Sequence, residues 1–217
     1  MKTIRSLFNR EDTAGIMFTL PFTLGFLFFM IVPMGISLYY SFCKYNILSP
    51  PVFTGLDNFK NMIADGTFLQ TIKVTFFFAF VSVPLKLIFA LLVAMLLLKN
   101  TKMSGIYRAA YYLPSIIGGS VAVAILWKRM FAMDGVVNKL LGSIGIKTSI
   151  SWLGDTKTAI WILILLAVWQ FGSSMLIFLS SLKQIPTSLY EAAMVDGANP
   201  VSRFFKITLP LLTPTIF

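Results

Sequence analysis

The side chains of this sequence that could do chemistry are few, and what is missing narrows the field first. Histidine is absent and Cys43 is the single cysteine, so imidazole catalysis, imidazole metal ligation and an intramolecular disulfide are all excluded. The eight acidic residues are scattered, with no pair at the spacing of a general acid and base or of a metal site. No catalytic residue, metal ligand or cofactor-binding residue is expected. What stands out is YEAAMVDGANPVSRFFKITLP at 190–210, where Glu191, Ala192, Ala193, Asp196 and Gly197 interrupt a chain otherwise dominated by apolar runs.

Those residues need elements to hold them, and composition says which. The 217 residues are 57% hydrophobic and 12% charged, with a mean hydropathy of +0.84. A soluble domain carries about 25% charged residues, so a bilayer is the expected solvent. Four stretches reach the roughly 20 apolar residues that a membrane helix needs, at about 14–42, 74–98, 109–131 and 158–182. Backbone groups in hydrocarbon must be satisfied internally, so the expected fold is an all-α, multi-pass transmembrane helical bundle.

Residues 1–13 read as an N-terminal segment with Lys2, Arg5 and Arg10. The apolar run that follows is too long for a signal peptide and lacks a small-residue cleavage site, so it reads as an uncleaved anchor. With a cytoplasmic N-terminus, nine basic residues fall on the inner side and seven on the outer, a thin margin for this orientation. The formal charge of +10 is spread between apolar segments, which suits anionic lipid headgroups and not nucleic acid.

Between the first two spans, GLDNFKNMIADG at 55–66 reads as an amphipathic helix capped by Asp57 or Asn58, with Phe59, Met62 and Ile63 on one face. Trp127, Trp152 and Trp161 stand near span boundaries, as an aromatic belt would place them. GSIGIKTS at 142–149 lacks the glycine that must precede lysine in a phosphate-binding loop, and reads as an external loop. Lys86 falls inside the second span. It either lines a solute path or sits on a helix shifted so that it faces the bundle or a neighbouring chain.

After the fourth span, Pro186 and the Ser188-x-x-Glu191 pattern predict a helix starting at Ser188 with a capping box. Asp196 should close it, and Gly197 should supply the left-handed residue beyond it. Asn199 and Pro200 predict the cap and first turn of a second short helix, which Leu209-Pro210 should stop. This is a helix, a glycine turn and a helix at the membrane surface, and on pattern alone Glu191 could be occupied in capping and nothing else.

The order Glu191-Ala192-Ala193, then Gly197, then Ile207-x-Leu209-Pro210 resembles the EAA loop of ABC-importer permeases. GLDNF at 55–59, SVPLKL at 82–87, RAAYYLPSIIGG at 108–119, LWKRMF at 126–131 and QIPTSLYEAAMVDGA at 184–198 are similar in order and spacing to the carbohydrate-importer branch, in particular to its first, maltose-F-like permease. The resemblance runs over essentially the whole chain. It implies a permease subunit that moves a carbohydrate across the cytoplasmic membrane, with residues 183–210 as a cytoplasmic coupling loop docked on an ATPase. There the alanines would let a second protein approach closely, the carboxylate would meet a basic residue, and Gly197 would permit the reversal.

The partners that the resemblance implies are a second, different permease, two ATP-binding subunits and an extracytoplasmic solute-binding protein. It also implies six spans, so 211–217 would begin a fifth and the sequence would lack the last two. A chain of this kind is expected not to transport by itself, and a non-transporting assembly fragment is one alternative. An ATP-independent channel or facilitator is another, and glycerol phosphate or another polar solute is an alternative cargo. Matching the places where relatives contact sugar, Gln170, Ser173 and Ser174 after Trp169 would line the substrate path. The plain alternative is that both serines satisfy backbone carbonyls or permit close helix packing.

Overall fold

The computed structural model describes residues 11–99, 102–146 and 150–216, and it divides into two compact units at Lys73/Val74. The expectation for 1–10, and Lys147, Thr148 and Ser149 of the GSIGIKTS stretch, lie outside the described residues.

The first unit opens with helix α1 (Glu11–Phe26), a π-helical turn (Leu27–Ile31) and helix α2 (Val32–Ser41). Together they give a 27-residue apolar helix over Gly15–Ser41, none of it buried within the chain. Phe18 and Phe29 are 88% and 87% exposed, a surface suited to lipid or to another subunit and not to water. The π-turn is placed where it is by Pro33. A proline removes one helical N–H and crowds the carbonyl four residues back. Here the Val32 N–H reaches five residues back to the Leu27 carbonyl, which opens the turn just ahead of the ring.

Next comes a two-stranded antiparallel hairpin, an addition to the all-helical expectation, with β1 (Cys43–Asn46) paired to β2 (Ser49–Phe53). Asn46 Oδ1 accepts from the Leu48 N–H and the Ser49 hydroxyl, each at 3.0 Å, which closes the turn. Cys43 is buried and free. Helix α3 (Asp57–Ala64) follows, but neither Asp57 nor Asn58 caps it. Asp57 is already inside the helix. The Asn58 amide is committed elsewhere, donating to the Ser41 and Cys43 carbonyls at 2.9 Å, so it ties α3 to the end of α2.

Helix α4 (Gly66–Leu96) starts eight residues before the expected position, because Asp65 accepts from the Thr67 N–H and so starts it ahead of the apolar run. Its 31 residues are long enough to cross a membrane.

In the second unit the 109–131 stretch is not one straight span. Helix α5 (Ser104–Ile117) and helix α6 (Val121–Met130) meet at 96°. Gly118 and Gly119 lack the side chains that would favour continuing the helix, and the Ser120 hydroxyl accepts from the Val123 N–H to begin a new one. Helix α7 (Val136–Ser143) lies in the loop beyond. Buried Asn138 organises that loop: its amide donates to the carbonyls of Met133 and Ile150 at 2.9 Å, and it accepts from the Trp152 indole at 2.8 Å. Trp152 therefore serves the loop and is not a free belt residue.

The fourth apolar stretch is also broken, into α8 (Ala159–Trp169) and α9 (Gly172–Gln184), with a bend of 43°. Counting each bent pair as one, the described residues hold up to four helical segments apolar enough to span. The core of this unit sits where α4 meets α9. Ala90, Leu91, Ala94 and Leu97 pack on Met175, Phe178, Leu179 and Leu182. Ala90 and Ala94 are fully buried in this core.

Candidate functional site

The elbow after α9 is built from helix α10 (Thr187–Val195), helix α11 (Pro200–Arg203), a π-helical turn (Phe204–Thr208) and helix α12 (Leu209–Ile216). α10 begins at Thr187 behind Pro186 and no side chain caps it, so the Ser188–Glu191 capping box does not form. Pro186 has no side-chain acceptor to offer, and its backbone carbonyl accepts from the Leu189 N–H at 3.3 Å instead. Asp196 does follow the last helical residue, and Gly197 has φ +75°. The Ala198 N–H then reaches back to the Ala193 carbonyl at 2.8 Å, which completes the reversal. Asn199 caps α11 as expected, its side chain accepting from the Ser202 N–H at 2.7 Å.

Pro210 does not stop the second helix. The Leu209 N–H bonds five residues back to the Phe204 carbonyl, and this wider turn carries the chain through the proline into α12. The arrangement repeats the one ahead of Pro33. Two contacts anchor the elbow: Phe204 and Ile185 pack against the α4/α9 core, and the Tyr190 hydroxyl lies 2.9 Å from Thr208 Oγ1.

At the tip, Glu191, Ala192, Asp196 and Gly197 are exposed and Ala193 is half-buried. Among the described residues no cation lies within ion-pair distance of Glu191 or Asp196. Glu191 is thus committed neither to a cap nor to an internal ion pair. Val195 beside it is 89% exposed. The surface on offer is a carboxylate beside small and apolar groups, which suits a partner.

The second group of predicted residues gathers at the α8/α9 break. Gln170 follows the last residue of α8, and its side-chain amide donates to the Leu166 carbonyl at 3.3 Å. It lines a cavity of about 410 Å³ with Thr75, Phe78, Leu163 and Ala167. The Trp169 ring packs on Trp127, centroids 5.5 Å apart. The hydroxyls of Ser173 and Ser174 make no hydrogen bond among the described residues, so neither satisfies a backbone carbonyl. Lys86 shares a helix face with buried Ser82 and Ala90, is itself half-buried, and has no anionic partner among the described residues.

Residues 13–217 match the family model described as "Binding-protein-dependent transport system inner membrane component". The chain belongs to this family. As a member it is an ABC transporter permease, a transport subunit and not an enzyme, carried in the inner membrane on membrane-spanning helices and working with a substrate-binding protein. It is 55% identical to the probable ABC transporter permease protein YesP of Bacillus subtilis, covering all of this chain and 70% of that one. It is 32% identical to the probable starch degradation products transport system permease protein AmyD of Thermoanaerobacterium thermosulfurigenes, over 91% of this chain and 67% of that one. Among solved structures it superposes with a TM-score of 0.79, at 26% identity, on a chain of a bacterial ABC transporter involved in the import of the acidic polysaccharide alginate, covering 98% of this chain and 72% of that one.

Within this permease, sequence reasoning missed two residues at the span-four break. Ser115 of α5 donates its hydroxyl to the Gln170 carbonyl at 3.0 Å and accepts from the Ser173 N–H at 3.1 Å. Gly118 faces the Gln170 side chain: a β-carbon there would lie 2.5 Å from Gln170 Cγ and Oε1. Both stand in LPSIIGG, quoted for its resemblance, but no local signal in that stretch points 55 residues ahead to Gln170.

Proposed function

We propose that this permease serves a carbohydrate importer, with the 183–210 elbow as its coupling element on the cytoplasmic side. The N-terminus lies in the cytoplasm and the chain crosses the membrane several times. A second, different permease completes the pathway, two ATP-binding subunits grip the coupling elements from inside, and an extracytoplasmic solute-binding protein delivers the sugar. ATP-driven closure of the motor subunits moves the elbow and switches the pathway between outward and inward access. Glu191 pairs with a basic residue of the motor, Ala192 and Ala193 admit its surface, and Asp196 and Gly197 hold the turn.

The observation that carries this reading is the uncommitted carboxylate at the elbow tip. Glu191 is exposed with neither a capping nor an ion-pair role among the described residues, in a permease related to transporters named for starch degradation products and alginate. Hydroxyl and amide groups at Gln170, Ser173 and Ser174 match the hydroxyl-rich edges of sugar rings, and the indole of Trp169, the residue before them, is of a type that suits their apolar faces.

The test places cysteine at the exposed Val195, with Cys43 replaced by serine, in the assembled importer. A membrane-impermeant thiol reagent should label position 195 only in inside-out vesicles, and a bifunctional thiol reagent should join it to an ATP-binding subunit. Labelling from the outer face would overturn the orientation and the coupling role together.

A further inference from the structure

The break in span four exposes backbone groups where a membrane protein can least leave them. Helix α8 ends at Trp169 and α9 begins at Gly172 with no side-chain cap of its own. An unsatisfied backbone group in hydrocarbon costs several kcal/mol. The chain meets this from another helix: the single Ser115 hydroxyl donates to the carbonyl on one side of the break, Gln170, and accepts from the N–H on the other, Ser173. One side chain thus spans the interruption and uses both of its hydrogen-bonding roles.

Two glycines make this approach possible. At Gly172 a β-carbon would strike the Tyr111 carbonyl and lie 2.7 Å from the Tyr112 α-carbon, so α9 starts in backbone contact with α5. At Gly118 the space of the missing side chain is taken by Gln170 itself. Gln170 is therefore fixed at its carbonyl by Ser115, at its amide nitrogen by Leu166, and along its stem by the surface of Gly118.

We propose that Ser115 and Gly118 are positioning residues for Gln170, which makes the kinked third span a determinant of which polar cargo passes the break in the fourth. This rests on the reading of Gln170 as a cargo-facing residue. Ser115 acts through Gln170 and need not touch cargo. Without the hydroxyl the Gln170 carbonyl and Ser173 N–H must seek other partners, and the polar groups lining the path lose their common frame. With a methyl at 118 the amide is pushed off its seat although the pin remains.

The experiment uses the assembled importer in proteoliposomes with saturating binding protein. Relative uptake of radiolabelled maltose, lactose and glycerol 3-phosphate is read for Ser115→Ala, Ser115→Thr, Gly118→Ala, Gln170→Ala and the Ser115→Ala/Gln170→Ala pair. Amide hydrogen exchange over residues 170–174 is measured alongside. Ser115→Ala should raise exchange at Ser173 by about tenfold, the worth of one lost hydrogen bond, and Ser115→Thr should stay near wild type. Ser115→Ala and Gly118→Ala should shift the cargo ratios in the direction that Gln170→Ala does, and the double variant should add nothing further. If Gln170→Ala shifts the ratios while Ser115→Ala and Gly118→Ala leave them unchanged, the positioning role is overturned and the Gln170 reading stands. If Gln170→Ala itself changes nothing, the cargo-facing reading falls and takes the positioning role with it.

Discussion

The Tyr190 hydroxyl lies 2.9 Å from Thr208 Oγ1, across 18 residues of chain, and joins the first helix of the elbow to the π-turn that leads out of it. Thr208 is only 6% exposed, so this bond is anchored in packed structure while the elbow tip stays open. A force applied at α10 is carried into α12 through this strut as well as through the Phe204 contacts. Tyr190→Phe removes it at a cost of about 1 kcal/mol to stability. The expected outcome is more ATP hydrolysed per cargo molecule with basal hydrolysis unchanged. An unaltered ratio would show that the strut carries no force.

Substitution at Gly197 should follow backbone conformation and not side-chain size. Nothing lies within 4 Å of the place a β-carbon would take, so space is not the constraint; φ +75° is. Asparagine tolerates this region, alanine costs about 1 kcal/mol, and a β-branched residue more. Uptake per ATP should fall in the order Gly, Asn, Ala, Val, and Glu191→Lys should abolish coupling with the elbow intact. Equal activity of the asparagine and valine variants would remove the conformational explanation.

Asn138 ties together the loop between the third and fourth apolar stretches. Its amide and carbonyl bind Met133, Ile150 and Trp152 at 2.8–2.9 Å, and the residue is 7% exposed. Asn138→Leu keeps roughly the volume and loses these bonds and a longer one to the Ala132 carbonyl, taking a donor from three carbonyls and the acceptor from the Trp152 indole, for an expected loss of about 2–4 kcal/mol. Thermal unfolding of the purified subunit complex checks this, with Trp152→Phe expected to cost less because it frees a single acceptor.

The start of α4 should depend on pH. The Thr67 N–H, 3.0 Å from Asp65 Oδ1, holds the Asp65 carboxyl below its ordinary value of 3.8. The folded state therefore favours the ionised form. Its contribution is present in full above pH 3.8 and is lost as pH falls through the lower folded value. Amide exchange at Gly66–Phe68 should rise under acid, and Asp65→Ala should give the same rise at neutral pH, with Asp65→Ser in between.

Lys86 is half-buried on the helix face that carries Ser82 and Ala90, without an anion among the described residues. A lysine at the centre of a membrane helix costs about 2.5–3.5 kcal/mol on insertion scales. Lys86→Leu should therefore leave the isolated subunit at least as stable in a thermal scan. Destabilisation in the assembled importer alone would identify a partner carboxylate opposite it.

The elements legible in the sequence are those whose causes are local. Gly197 takes a left-handed φ because the residue itself permits it, and Asn199 caps a helix through an N–H three residues away. The four apolar stretches were equally plain, because hydropathy is a sum over neighbours. Locality also explains two misreadings: Gly118-Gly119-Ser120 breaks the third stretch by ordinary capping chemistry, which a hydropathy window averages away, and Pro210 passes inside a helix because a π-turn, not a helix end, absorbs the ring.

Other features had no local cause to read. Whether Ser188 or Asp57 would cap a helix depended on how the chain entered it. The bond from Ser115 to a broken backbone 55 residues away, and the seat that Gly118 offers Gln170, exist only once α5 and α9 lie in contact. Composition and short-range capping determined an apolar, membrane-type helical chain with a glycine elbow, and the order of its motifs pointed to the permease family. Packing between distant helices decided which polar groups stand together at the break, because a hydrogen bond reaches about 3 Å in space and takes no account of separation along the chain.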